Sequence, residues 1–281
     1  MLRLTDIVIV IKGAGEMASA IAWRLYMAHF QKILMLDTDH PMAVRRQVSF
    51  CEALHRGSQC VEGVEAMMVR SVQDIHAAWK QERIAVAADP RWLLIDQVRP
   101  QVLVDAILAK KNLGTRIRDA ELVVGLGPGF TAGLDVHMVI ETNRGHDLGR
   151  IITAGCAEAN TGEPGAIDGY TGKRVLRAPA AGLFKTERSI GDLVTAGEII
   201  GTVAGQTVTS RIDGVLRGLM RPDTKVTRDL KIGDVDPRGR EQFCDTISEK
   251  ARAIGGSVLE AILRIFNTAD AGVSSPKAGQ Q

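Results

Sequence analysis

Residues 7 to 37 leave few folds open. Ile7 to Ile11 is a continuous β-branched run, suited to a parallel strand buried on both faces. It runs into Gly13-Ala14-Gly15-Glu16-Met17-Ala18, a GxGxxA turn. In such a turn the first glycine makes the sharp bend and the second admits a phosphate beside the backbone. The small Ala18 lets the following helix lie close on the strand. Ala18, Ile21, Ala22, Leu25 and Ala28 then recur at helical spacing as one apolar stripe. A second strand, Lys32 to Leu36, ends at Asp37, 24 residues after Gly13 and near the spacing at which an acid reaches a ribose hydroxyl. Gly13, Gly15, Ala18 and Asp37 are therefore candidate cofactor-binding residues for a nucleotide or dinucleotide. Packing alone in a ligand-free domain uses the same glycines, and Glu16 would repel a pyrophosphate unless it points away.

The α/β pattern continues. Arg45 and Arg46 are placed to clamp an anion or to lie on a solvated helix face. Glu65 to Arg70 reads as a strand, and Ser71 as the N-cap of a helix to Gln81, with Asp74 completing a capping box. Ile84 to Ala88, Val102 to Leu108 and Leu122 to Leu126 read as further strands. Ligands gather outside strand C-termini in open parallel sheets, which makes Asp105, Lys110 and Asn112 candidates for the cleft that holds Gly13. A carboxylate inside a buried strand needs a partner, and Lys110 is the nearest cation in sequence.

Chemistry-bearing residues concentrate between Gly125 and Arg150. A loop with Gly127, Pro128, Gly129 and Gly133 lets backbone approach a ligand closely. Asp135, His137, Glu141, Arg144 and His146 follow it. Alternating apolar residues from Val136 to Ile140 and a short strand from Arg150 to Ala154 predict a hairpin. On that reading Asp135, His137 and Glu141 share one strand face. Such a row suits a divalent metal, a general base held in one tautomer, or a hydrogen-bonded network that shapes the loop. No ligand spacing specific to a metal is matched.

The totals set limits. A chain of 281 residues exceeds one typical core, so two domains are expected. With 35 basic and 33 acidic residues the net charge is +2, and aromatics make up only 4%, so neither nucleic acid nor an anionic membrane is an expected partner. Four scattered cysteines without CxxC spacing argue against structural zinc and disulfides. The N-terminal apolar run is too short for a signal segment or a membrane span, which makes the cytoplasm the expected location.

The later third repeats itself. Gly182, Leu183, Val194, Ile200, Gly201 and Val203 recur 32 residues on as Gly214, Val215, Val226, Ile232, Gly233 and Val235. Two copies of one β unit suggest a small sandwich with internal two-fold pseudosymmetry. RAPAAGLFKTERSIGDLVTAGEIIG and VTSRIDGVLRGLMRPDTKVTRDLKIG are similar to the biotinyl/lipoyl-like barrel-sandwich modules. Those modules carry their cofactor on a hairpin lysine. Here the hairpin reads Ala204-Gly205-Gln206-Thr207, so no covalent biotin or lipoyl group is expected. Cys244 to Asn267 reads as a closing helix, with Gly255-Gly256 marking a break or a place where something presses on it. The expected organisation is a Rossmann-like α/β domain over 1–155, a linker over 156–172 and a barrel-sandwich-like module over 173–240. A helix over 241–267 and a disordered tail over 268–281 complete it.

The stretches GAGEMASAIAWRL, PMAVRRQVSFCEA, VDAILAKKNLGTRI, VVGLGPGFTAGLDVHMVIETNRGHDLGRII, RVLRAPAAGLF, LKIGDVDPRG and AIGGSVLEAIL make the chain resemble the YqeB family, accessory proteins of selenium-dependent molybdenum hydroxylases. The resemblance spans about residues 7 to 264. It implies a role in maturing such a hydroxylase, by handling its molybdopterin dinucleotide cofactor or by helping to insert its sulfur or selenium ligand, with the apo-hydroxylase as partner. It names a pathway and transfers no residue roles. Catalytic candidates therefore stay those read from the residues: Asp105, Lys110, Asp135, His137, Glu141, Arg144 and His146. An NAD(P)-dependent oxidoreductase and a non-catalytic scaffold that docks the hydroxylase are the rival readings, and a homo-oligomer is left open.

Overall fold

The computed structural model describes residues 3–160, 162 and 165–267. Apolar runs become strands β1 (Val8–Lys12), β2 (Lys32–Asp37), β3 (Ser58–Val61), β4 (Val64–Val69), β5 (Ile84–Ala88), β6 (Val102–Asp105) and β7 (Leu122–Leu126). Next come β8 (Thr131–Ala132), β9 (Met138–Ile140), β10 (Ile151–Ile152) and β11 (Gly155–Cys156). Nine of these form one sheet in the order β10-β9-β7-β6-β1-β2-β5-β4-β3, while β8 and β11 pair separately. The inner strands run parallel, and β3 and β10 close the two edges antiparallel.

Alternate residues of each inner strand feed two apolar layers, as the period of two requires. Ile9, Ile11, Ile33 and Val104 face α1 (Glu16–Met27). Val10, Leu34, Leu36 and Leu103 face the other way, where α3 (Val72–Lys80) packs through Ile75, Ala78 and Trp79. Two shorter helices, α2 (Ala53–Arg56) and α4 (Leu93–Val98), fill the connections. The expected cap is present at α3: the Asp74 amide donates to Ser71 Oγ at 3.1 Å, and Asp74 Oδ2 accepts from the Arg70 amide at 3.1 Å.

The remaining strands are β12 (Val175–Arg177), β13 (Gly182–Lys185), β14 (Leu193–Val194), β15 (Ile199–Val203), β16 (Gln206–Thr209), β17 (Gly214–Leu219), β18 (Lys225–Val226) and β19 (Lys231–Asp236). They make two four-stranded sheets, β12-β19-β17-β14 and β16-β15-β13-β18. The 32-residue repeat is physical and reciprocal. Gly182 of the first copy pairs with Val226 of the second, and Gly214 of the second pairs with Val194 of the first. Phe184, Val203, Leu216 and Val235 fill the core between the sheets.

The last helix, α5 (Glu249–Phe266), is uninterrupted. A Cβ on Gly255 would lie 3.1 Å from the Ala20 carbonyl oxygen, so this glycine seats α5 against α1. The helical penalty of about 1 kcal/mol for glycine is offset by burial of Ile254, Val258, Ala261 and Ile262.

The expected Rossmann-like domain followed by a biotinyl/lipoyl-like barrel-sandwich is corrected by this architecture, while the closing helix expected over 241–267 forms over Glu249–Phe266. The main sheet is mixed, because the hairpin β3–β4, turning at Glu62–Gly63, adds two strands beyond β5. Sequence reading found the Glu65–Arg70 strand without its antiparallel partner. The repeat region forms separate antiparallel sheets, and α5 returns to the first sheet and buries its stripe against α1. The tail over 268–281 lies outside the described residues.

Candidate functional site

The C-terminal ends of β1, β2, β6 and β7 open into a cleft of about 930 Å³, roofed by the β module and the start of α5. Gly13 and Gly15 sit on its floor for different reasons. Gly13 has φ +94, and a Cβ there would lie 3.2 Å from the Ala106 carbonyl oxygen, so the turn and the neighbouring strand both demand glycine. Gly15 caps α1 at φ −73 and ψ −172, which any residue adopts, and a Cβ would meet nothing within 4 Å. Neither backbone nor packing asks for glycine at this position. No side chain caps α1, so the amides of its first turn are left to a ligand or to water. Ala18 is buried in the helix–sheet contact.

Glu16 does not act as a free negative charge in this turn. Its Oε1 accepts from Arg45 Nη1 at 3.3 Å and from Ser248 Oγ at 3.0 Å. That triad joins the N-termini of α1 and α5, and Arg45 Nη2 extends it to the carbonyls of Phe243 (2.9 Å) and Thr246 (3.0 Å). Asp37 accepts the Ala14 amide on Oδ2 and the Thr38 amide on Oδ1, each at 2.8 Å. Burial raises its pKa while those amides oppose the rise. The carboxylate thus braces the glycine turn and still lines the cleft.

Asp105 is buried, but its partner is Lys12 through Thr115 and not Lys110. Lys12 Nζ donates to Thr115 Oγ1 at 2.8 Å, and Thr115 Oγ1 donates to Asp105 Oδ2 at 2.6 Å. Burial lowers Lys12 and raises Asp105. Sequence reading missed Lys12 because it lies 93 positions before Asp105 and meets it only across the β1–β6 pair. Lys110, at φ +62, lines the cleft. Asn112 instead closes its own turn: Oδ1 accepts from the Gly114 and Thr115 amides at 2.9 and 2.8 Å.

The Gly127 loop touches the cleft through Pro128. A Cβ on Gly129 would stand 2.6 Å from the Lys111 backbone, and one on Gly127 would stand 2.5 Å from Thr142 Oγ1. These glycines make room for protein. The polar row after them is not formed. Asp135 Oδ2 takes the Thr131 amide at 2.9 Å, and His137 Nδ1 takes the Val123 amide at 2.9 Å. Val123 stands near the start of β7, so His137 lies at the end of the sheet opposite the cleft, and burial lowers its pKa. Glu141 is alone at the cleft end. Its Oε1 accepts from the Thr142 (2.7 Å) and Asn143 (2.6 Å) amides and its Oε2 from the Glu158 amide (2.7 Å), fixing the loops beside the cleft. Arg144 lines the cleft and pairs with Glu249, whereas His146 is exposed and does not line it. Asp135, His137 and Glu141 therefore make neither a shared strand face nor a metal-binding row, because β9 begins only at Met138. Among the described residues no group of three or more His, Cys, Asp and Glu could hold a metal ion.

Sequence reading also missed the roof. Arg174, Arg177, Arg217 and Lys231 of the β module and Lys250 of α5 face the cleft. In all, eight Lys and Arg residues line it against four carboxylates, Glu16, Asp37, Glu158 and Asp234. Burial would raise Asp234, but Lys231, Arg217 and Arg174 bring it down to about 2. The available signal was a charge inside an apolar strand: Arg217 in GVLRGL and Asp234 in KIGDVD.

No family model matches the chain. Among solved structures it is similar to a succinylglutamate desuccinylase/aspartoacylase from Rhodobacter sphaeroides, at 24% identity over 31% of this chain and 30% of that one, with a TM-score of 0.22. An aspartoacylase family protein from Mesorhizobium loti matches at 10% identity over 81% of this chain and 84% of that one, with a TM-score of 0.25. The ectoine utilization protein EutE from Ruegeria pomeroyi matches at 9% identity over 81% and 56%, with a TM-score of 0.23. Among the described residues no helix is long and apolar enough to cross a membrane. Over 259 residues, 92% of its length, the chain is 46% identical to the uncharacterized protein YqeB of Escherichia coli K12, and it spans about half (48%) of that protein.

Proposed function

We propose that the cleft holds a nucleotide-containing ligand with its phosphates against the Gly13–Met17 turn, and that the chain serves the maturation of a selenium-dependent molybdenum hydroxylase. Gly15 carries the binding part of this reading. It is a glycine that neither its backbone nor its packing requires, at the uncapped start of a 12-residue helix, facing a cleft with an excess of cations. Unsatisfied amides and the positive end of the helix dipole favour a phosphate there. Asp37 at the rim has lone pairs left for a ribose hydroxyl. A volume of about 930 Å³ suits a ligand of dinucleotide size.

The hydroxylase part rests on the resemblance carried by GPGFTAG and ETNRGHDLG. In that pathway the molybdopterin dinucleotide is the cargo whose pyrophosphate and nucleoside match these groups. The chain would present it, or support sulfur or selenium insertion, to the apo-hydroxylase. Native mass spectrometry of the purified protein, followed by calorimetry with nucleoside mono- and diphosphates, tests the binding. A nucleotide bound at micromolar concentration is expected, and no nucleotide in either measurement removes the reading. Cells lacking the chain should accumulate hydroxylase protein without active cofactor; fully active enzyme in those cells removes the pathway assignment.

A further inference from the structure

The two walls of the cleft carry different charge. On the sheet wall Glu16 and Asp37 are balanced by Arg45 and Lys110. On the roof Arg174, Arg177, Arg217 and Lys231 face a single carboxylate, Asp234. Arg174 and Arg217 each bond an oxygen of Asp234, and Lys231 Nζ stands 3.4 Å from it. Arg217 also pairs with Asp236 at 3.2 Å, which Arg238 shares, so two carboxylates serve four cations. Arg174 Nε is buried and has no hydrogen-bond partner among the described residues.

Lys250 adds to the imbalance. It is partly buried, lines the cleft, and makes no hydrogen bond or ion pair with the described residues. Burial and the nearby Arg144 push its pKa down, and the more weakly felt Glu16 and Glu141 oppose that shift without reversing it. It lies two residues beyond Ser248, the N-cap of the 18-residue α5, whose positive end points at the same place. The network of Arg174 and Arg217 with Asp234 and Asp236 accounts for the cohesion of β12, β17 and β19. It does not account for Lys250.

We propose that the roof is a second anion subsite, and that the ligand of this cleft carries a carboxylate or phosphate distant from its nucleotide phosphates, received by Lys250 and Lys231 beside Arg174. The inference rests on the nucleotide reading above and narrows its ligand to a two-ended anion. A charge-assisted contact to the distal group supplies about tenfold or more in affinity. It also gives the cleft direction, because the amide-rich floor and the cationic roof then bind different ends of one molecule.

The test uses probe pairs that differ only in the distal charge: the glucose and glucuronate esters of nucleoside diphosphates, with each of the four common bases. Calorimetry on the wild type should show the glucuronate ester binding at least about tenfold tighter for the accepted base. Lys250→Met and Lys231→Met should bring that ratio toward one, and Lys250→Arg should keep it. Thermal denaturation of each variant checks that it is folded. Equal affinity of the two esters in the wild type, or a ratio that survives both Met variants, overturns the second subsite and leaves the nucleotide reading standing. Binding of neither ester for any base overturns the nucleotide reading, and this inference with it.

Discussion

Gly13–Gly15 and Gly127–Gly129 are two glycine turns at the ends of adjacent parts of one sheet, and in sequence they invite the same interpretation. In the fold they differ. Three of these four glycines leave space that protein occupies: the Ala106 carbonyl at Gly13, Thr142 at Gly127 and the Lys111 backbone at Gly129. Only Gly15 leaves space that nothing occupies. The residues that follow diverge as well. After Gly15 a helix starts uncapped at the cleft, whereas after Gly129 the chain runs back to the far end of the sheet before β9 begins. A glycine count marks close approach, and only the neighbour decides whether the approaching body is protein or ligand.

The comparison breaks most sharply at Gly129. Gly129→Ala puts a Cβ 2.6 Å from backbone atoms at φ +111, where neither partner is a flexible side chain. Strain and overpacking together should destabilise the protein by about 2–5 kcal/mol. The urea midpoint should fall by that free energy divided by the m-value. A variant as stable as the wild type would show that the Lys110–Lys111 loop yields, and would free Gly129 for a ligand. Gly15→Val should do the reverse. Replacing an N-cap glycine by valine costs less than about 1 kcal/mol, while a branched side chain over the first-turn amides should weaken nucleotide binding about tenfold or more. Unchanged affinity would place the phosphates elsewhere in the cleft.

How much could be read beforehand follows from how local each contact is. The strand, turn, helix and acid of residues 7 to 37 are neighbours in sequence and in space, so they were legible, whereas the bond from the Ala14 amide to Asp37, read only as a ribose ligand, was not. The Ser71 cap was legible for the same reason, and the β repeat because its two copies match in sequence, but the reciprocal pairing of the copies is long-range and was not. Lys12 and Asp105 meet only through sheet pairing, and the local candidate, Lys110, was chosen instead. At Gly255 a break and the pressure of a ligand or loop both stayed open, because the body that presses there, the Ala20 carbonyl, lies in α1. The cations of the cleft come from loops, a β module and a helix spread over residues 45 to 250, and no window of sequence contains them.

The smallest effect sharpens the same contrast at His137. Proximity to the Gly127 loop made it a candidate proton carrier, but its Nδ1 accepts the Val123 amide and burial lowers its pKa from 6.5. A histidine with a depressed folded pKa binds fewer protons folded than unfolded. Its contribution to stability is therefore complete above pH 6.5 and erodes as the pH falls below that value, levelling off under the folded pKa. The slope is bounded by one proton, about 1.4 kcal/mol per pH unit at most. His137→Asn keeps an acceptor for the Val123 amide and removes the titration, so denaturant curves from pH 7 to pH 5 should be flatter for the variant by up to that slope. Nucleotide affinity over the same range should not differ between the two proteins, because the ring lies at the other end of the sheet. Parallel stability profiles would mean that the ring keeps water access when folded. A change in affinity would return His137 to the cleft and undo the distinction between the two glycine turns.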